Sequence, residues 1–328
     1  MGRSQMNLKI LVFTTLLAFL MSCGEESKVK ILKLAHVLDT THPVHKAMEF
    51  MAEKVKENSK GLMRVDIYPS SQLGGERETI ELLQIGSLAM TKVSASPMET
   101  FVPEMKIFSV PYVFRDEEHL WKTLESDIGK KLLLAGQKFR LRGLCYYDAG
   151  SRSFYTKDKQ VVIPADLKGL KIRVMKSNTA VDMVKALGGS ATPIPWGELY
   201  TALQQGVVDG AENNPPSFFL SKHYEVCKYY TLDEHTSVPD ILLVSTEIWE
   251  DLTEQQQKWL QDAVDKSIPY EKILWKESSD ASLEEVQKAG VTVLRPDKTL
   301  FREQVEPLHD SYKGTPVYEL LQEIQKIQ

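Results

Sequence analysis

The stretch KILKLA at 30–35, followed by apolar residues at Val44, Ala47, Met48, Met51, Ala52 and Val55, then LMRVDIY at 62–68 and RETIELLQI at 77–85, decides the fold. The first run alternates, as a half-buried strand must, and the second repeats every three to four residues, which is the helical period. LMRVDIY reads as another strand closed by Pro69, and RETIELLQI as a second helix closed by Gly86. A strand–helix–strand–helix opening predicts an α/β sandwich.

The same pattern returns downstream. Leu170 to Met175 reads as a strand, and a helix runs from about Ala180 to Leu187 before Gly188-Gly189. A further helix, Gly197 to Gln205, ends at Gly206. The boundary between the two units is therefore expected near Gly150. Thr253 with Gln256 three residues on forms a capping box for a long helical tract toward Ala289, interrupted or bent near Pro269.

Composition bounds the function. The 328 residues include 42% hydrophobic and 26% charged side chains, enough to bury a large core. A net charge of −5 argues against nucleic-acid binding, which favours basic surfaces. Three cysteines are too few for a disulfide scaffold, and Cys145 and Cys227 match no metal or redox spacing. The chain also lacks a G-x-S-x-G elbow and an HExxH helix, so a hydrolase has no legible machinery.

The N-terminus carries an address. Lys9 precedes the uncharged run ILVFTTLLAFLMS at 10–22, too short to span a bilayer and of the length of a signal-peptide core. Leu20-Met21-Ser22-Cys23 resembles a bacterial lipobox. Residues 1–22 would then be removed and Cys23 acylated, with 23–29 as a tether. Without Arg3 and Lys9 the mature chain carries −7.

The motifs of the second unit are ordered: DLKGLKIRV at 166–174, Gly188-Gly189, Thr192-Pro193, WGELY at 196–200 and QQGVVDGAEN at 204–213. With YPSSQLGGER at 68–77 and FSVPYVF at 108–114, they resemble the solute-binding proteins of TRAP transporters, the DctP family. The resemblance implies a two-lobed periplasmic binding protein fold, with the ligand cleft between lobes and a long C-terminal helix bracing both. It places 30–150 with about 239–278 in lobe I, and 151–238 with about 279–328 in lobe II. It further implies capture of an organic acid for a membrane permease, by a monomeric, non-enzymatic protein with no cofactor, held in the periplasm by its lipid.

Arg173 alternates with Ile172 and Val174, so its side chain leaves the core and can face a cleft. A guanidinium grips a carboxylate through two parallel hydrogen bonds and stays charged when desolvated. In the family this arginine clamps the ligand carboxylate. Arg152 matches a second ligand arginine, Asn213 an asparagine at the same end of the ligand, and Trp196 an aromatic against its apolar face. Glu76 aligns with an acidic contact of sugar-acid-binding members, where it would accept from hydroxyls and repel a second carboxylate. These residues favour a hexuronate such as glucuronate or galacturonate. A C4-dicarboxylate or another sugar acid is the alternative ligand, and a receptor that presents ligand to a signalling partner the alternative role. His36 is expected over the cleft, with Lys46 and Ser94 as weaker pocket candidates. His42 and His45 share one helical face without a carboxylate in register, so no metal site is expected.

Overall fold

The computed structural model describes residues 29–328, so the signal, lipobox and Cys23 lie outside the described residues. In β1 (Lys30–Ala35) Leu32 and Leu34 point into the core while Ile31 and Lys33 are exposed, as the alternation requires. The chain then enters α1 (Pro43–Asn58), with Pro43 at its first turn and the His42 ring capping the Val44 N–H. Val44, Ala47, Met48, Met51 and Val55 are fully buried against the sheet. Next come β2 (Met63–Tyr68), parallel to β1 with Lys30 opposite Met63, and α2 (Glu76–Gln84).

β3 (Met90–Ser94) pairs with the other edge of β1, and the short α3 (Ala95–Met98) and a 3-10 segment (Pro103–Ser109) follow. Two further helices, α4 (Glu117–Glu125) and α5 (Asp127–Leu134), lead to β4 (Leu141–Tyr147). The chain crosses to a second sheet as β5 (Ser151–Thr156), then β6 (Lys171–Val174), α6 (Asn178–Ala186), β7 (Ser190–Pro193), α7 (Leu199–Gln204), β8 (Gly210–Asn213), α8 (Pro215–Leu220) and β9 (Tyr229–Ser237). It returns at Val238-Pro239 into β10 (Asp240–Ser245) and α9 (Thr246–Glu250).

The first sheet has the order β2-β1-β3-β10-β4, with β10 antiparallel to both neighbours. The second has the order β11-β9-β5-β8-β6-β7, where β11 is Thr292–Leu294. Each sheet buries apolar side chains on both faces: Leu34 and Met48 or Phe108 and Ile241 in the first lobe, Tyr155 and Phe218 or Ile172 and Phe301 in the second. Two covered sheets joined by short crossings make the two-lobed fold.

The long helix α10 (Glu254–Lys288) runs 35 residues, about 52 Å at 1.5 Å per residue. Thr253 and Gln256 cap it reciprocally, as the sequence predicts. It packs on α1 and β4 in the first lobe and on α8 in the second, so it braces both. It is not interrupted at Pro269. Burial of Ser267, Glu271 and Trp275 on either side holds the helix through the hydrogen bond that proline cannot donate.

The C-terminus differs from the expected partition. α11 (Lys298–Ser311) packs on α6 in the second lobe, but α12 (Pro316–Gln325) comes back to the first. Leu321 and Ile324 join the core around Ile107 and Phe108, and the Ile324 carbonyl lies 3.0 Å from His119 Nε2. An apolar stripe on a terminal helix shows that it docks, and leaves open on which lobe.

Candidate functional site

The two sheets face each other across a narrow cavity. The first lobe contributes Leu38, His42, Glu76, Lys92, Ser94 and Asp240; the second contributes Arg152, Arg173, Trp196 and Asn213; Ala149 and Val238 of the crossings form its floor. Most of these residues sit at or just past strand ends, where α/β folds collect their binding groups. A second cavity lies beside it and shares Glu76, Arg173 and Trp196.

Arg173 lies on β6 between buried Ile172 and Val174 and is itself 2% exposed. Its Nε donates to the Ile194 carbonyl at 2.8 Å, which fixes the plane of the guanidinium, and that group stands 5.7 Å from the Trp196 ring centroid. Nη1 is buried with no partner among the described residues. Burial pulls its pKa below the usual guanidinium value, with Glu212 opposing. A buried cation with an unused donor aimed into a cavity calls for an anion.

Arg152 is occupied in a different way. Its Nη2 donates to Glu212 Oε1 at 2.9 Å and to the Glu212 carbonyl at 2.7 Å, its Nε to Glu212 Oε2 at 2.5 Å, and its Nη1 to Asn213 Oδ1 at 2.8 Å. Burial would lower its pKa, but Glu212 overrides burial and the net direction is up. Glu212 in turn meets His235 Nε2 at 3.5 Å, and His235 Nδ1 meets Asp233 at 2.8 Å. Burial resists charge at Glu212, His235 and Arg152, yet the pairings win. Glu212 is held down to about 2 and His235 pushed up to about 9. The chain Asp233–His235–Glu212–Arg152 is a fully buried row of alternating charge, and the sequence reading missed its three acidic and histidine members.

Asn213 uses its carbonyl oxygen for Arg152 and for the Asn214 N–H, which orients its amide nitrogen as the remaining donor. Asn214 lines the cavity too, but its side chain caps α8 through the Ser217 N–H and donates to the Ala149 carbonyl.

On the facing wall Glu76 opens α2 and accepts the Ser94 N–H at 2.8 Å. Burial raises its pKa, with Lys92 pulling the other way. Lys92 and Asp240 form a buried ion pair at 2.8 Å, and Ser94 Oγ donates to the other Asp240 oxygen at 3.0 Å. Neither Lys92 nor Asp240 was singled out in the sequence: one is a lysine within the strand MTKVS, and its partner lies 148 residues on.

His36, expected over the cleft, is turned away from it. Its Nδ1 accepts the Leu38 N–H at 3.1 Å and its Nε2 meets His45 Nδ1 at 2.9 Å, so both ring nitrogens are used inside the first lobe. Burial, aided by Lys92, lowers its pKa to about 2 and keeps it neutral. His42 is the histidine that lines the cavity, with its Nε2 buried and unpartnered. Lys46 is exposed on α1 and away from the cavity. Among the described residues no group of three or more His, Cys, Asp or Glu could hold a metal.

Two braced lobes closing on a cation-lined cavity define a protein that engulfs a small anionic solute. The profile of the bacterial extracellular solute-binding proteins of family 7, DctP, matches residues 34–315, and the chain belongs to that family. The chain is 40% identical over 298 residues to the uncharacterised protein YiiZ of Salmonella typhimurium, covering 90% of this chain and 91% of YiiZ. A TRAP periplasmic solute-binding protein from a Bradyrhizobium species, solved with galacturonate, superposes with a TM-score of 0.87 at 39% identity, covering 90% of this chain and 99% of its own. One from Pseudomonas putida, solved with D-glucuronate, gives 0.88 at 36%, covering 91% and 97%. Among the described residues no helix is long and apolar enough to cross a membrane.

Proposed function

We propose that this protein captures a hexuronate, galacturonate or glucuronate, and delivers it to a TRAP-type permease while tethered outside the cytoplasmic membrane through acylated Cys23. The observation that carries the reading is the unpartnered Arg173 Nη1, buried beside the half-exposed Trp196 at one end of the cavity between the lobes. In this reading Arg173 clamps the carboxylate and Asn213 donates to the same end through its amide nitrogen.

Arg152 acts on the carboxylate mainly through its field and its one uncommitted N–H, because Glu212 and Asn213 take the others. Trp196 covers the ring, and Glu76, Ser94 and the Lys92–Asp240 pair receive its hydroxyl groups. A wall that alternates acceptor and donor suits a polyol and opposes a second carboxylate. Galacturonate and glucuronate bound in the related structures support the same ligand class.

A thermal-shift screen over uronates, aldonates and dicarboxylates tests the reading. A true ligand at 100 times its Kd adds about 2.7 kcal/mol to the folded state. A shift with uronates and none with succinate is the expected result.

A further inference from the structure

Two carboxylates meet where the chain first crosses between the lobes. Glu271, midway along α10, is fully buried; its Oε2 accepts the Asp148 backbone N–H at 2.9 Å, and its Oε1 has no partner among the described residues. Asp148 is 3% exposed, with Oδ1 accepting the Gly150 N–H at 2.8 Å and Oδ2 the Trp121 indole N–H at 3.3 Å. One helical turn beyond Glu271, Trp275 backs the other end of the crossing. Gly150 has φ +53°, and a Cβ there would stand 3.2 Å from Trp275 Nε1. Both ends of Asp148-Ala149-Gly150 thus rest on one face of α10.

Among the described residues no cation is paired with Glu271, and Lys272 acts on it only from a distance. Asp148 faces it from the crossing and Asp240 from β10, while Tyr147 and Cys145 face it from β4 as neutral groups. Glu117 of α4 faces Asp148. Lys272, next on the helix, is turned onto the Trp121 ring, its Nζ 3.3 Å from the centroid, and pairs with Glu125 at 3.1 Å. His42 from α1 packs on Trp275 and is kept neutral by burial. A carboxyl held by one backbone donor, near like charges and away from water, keeps its proton. Its pKa is pushed well above the ordinary value, chiefly by burial.

Behind the crossings lies an open groove of about 680 Å³ lined in part by Gly150, Ser151, Ser237 and Trp275. Gly150 of the crossing and Trp275 of α10, one turn from Glu271, thus border solvent. We infer that Glu271 is a protonation-linked hinge residue: closing the cleft takes up one proton from solvent at Glu271, and opening returns it. The inference rests on the cleft closing over its solute, as proposed above. The sign follows from linkage. The closed form binds the proton more tightly, so closure is favoured on the acid side. It weakens up to tenfold per pH unit as pH rises from the open-state value to the closed-state value.

Two measurements test this. In the first, without ligand, energy transfer is read between one dye on each lobe from about pH 5.5 to about pH 8.5. The wild type should move to longer distances as pH rises, Glu271→Gln should stay put, and Asp148→Asn should move at a lower pH because it removes the neighbouring charge. A wild-type distance that does not change, or an equal change in Glu271→Gln, overturns the inference. In the second, galacturonate is titrated calorimetrically in buffers of different ionisation enthalpy. Uptake near one proton in the wild type and none in Glu271→Gln supports the hinge; equal uptake overturns it. If galacturonate gives no heat, the ligand reading has failed and the first measurement alone decides the hinge.

Discussion

Glu212 and Arg152 hold each other across adjacent strands, fully buried, with the glutamate taking three of the guanidinium's hydrogen bonds through its carboxylate and its own carbonyl. The pair makes Arg152 a preorganised part of the cleft wall, and leaves Arg173 as the cation with a buried, unspent donor. Removing one partner of such a pair strands a charge.

Glu212→Gln should therefore destabilise the protein by about 3–5 kcal/mol near neutrality. Because Glu212 is held down to about 2 when folded, its stabilisation is present above the ordinary carboxylate value and lost as pH falls from about 4.5 toward 2. The gap between variant and wild type should close over that interval in denaturant titrations. His235 has the opposite sign. Its pKa is raised to about 9, so its contribution is complete below about 6.5 and fades as pH rises through 9. His235→Gln should lack that alkaline decline.

Arg173→Ala should weaken uronate binding by about 2–5 kcal/mol, since a ligand carboxylate would be buried without its partner. Arg173→Lys should restore part of it, because an ammonium supplies charge without the planar fork. Calorimetric titration of both variants checks this; affinities equal to wild type would remove Arg173 from the site.

Glu76→Gln should weaken hexuronate binding modestly and relax the exclusion of dicarboxylates. A succinate-sized ligand on Arg173 would place its second carboxylate toward Glu76, a repulsion that grows when water is excluded. Competition of succinate against a labelled uronate, in wild type and variant, reads the difference directly.

Cys23→Ser should move the protein from the membrane fraction to the soluble one, as the acylated cysteine is the one anchor the sequence reading assigns. Fractionation of cells expressing the two forms measures it. Persistent membrane association of the variant would contradict the tether.

The architecture was legible because its signals are local. Alternation in KILKLA, helical spacing in α1 and the cap at Thr253 each report their own element. Arg173 stood out for the same reason, as the polar residue within a short buried strand, and its role in binding is a proposal. What escaped depends on pairing across distance. Lys92 and Asp240 meet only because β10 inserts beside β3, and Glu212 acquires its meaning from Arg152 on the next strand. The exchange of His36 for His42 has a similar origin. His36 stands at a strand end that should open on the cleft, but His45 of α1 captures its ring, while His42 at the helix N-terminus turns inward. The return of α12 to the first lobe was not legible, because an apolar stripe does not say which lobe receives it.

The most direct measurement is calorimetric titration of the wild-type protein with D-galacturonate, D-glucuronate, succinate and malate under one buffer condition. Saturable one-to-one binding of a uronate, with both dicarboxylates far weaker, is the result this account predicts. Tight binding of succinate or malate with no heat from either uronate would contradict it.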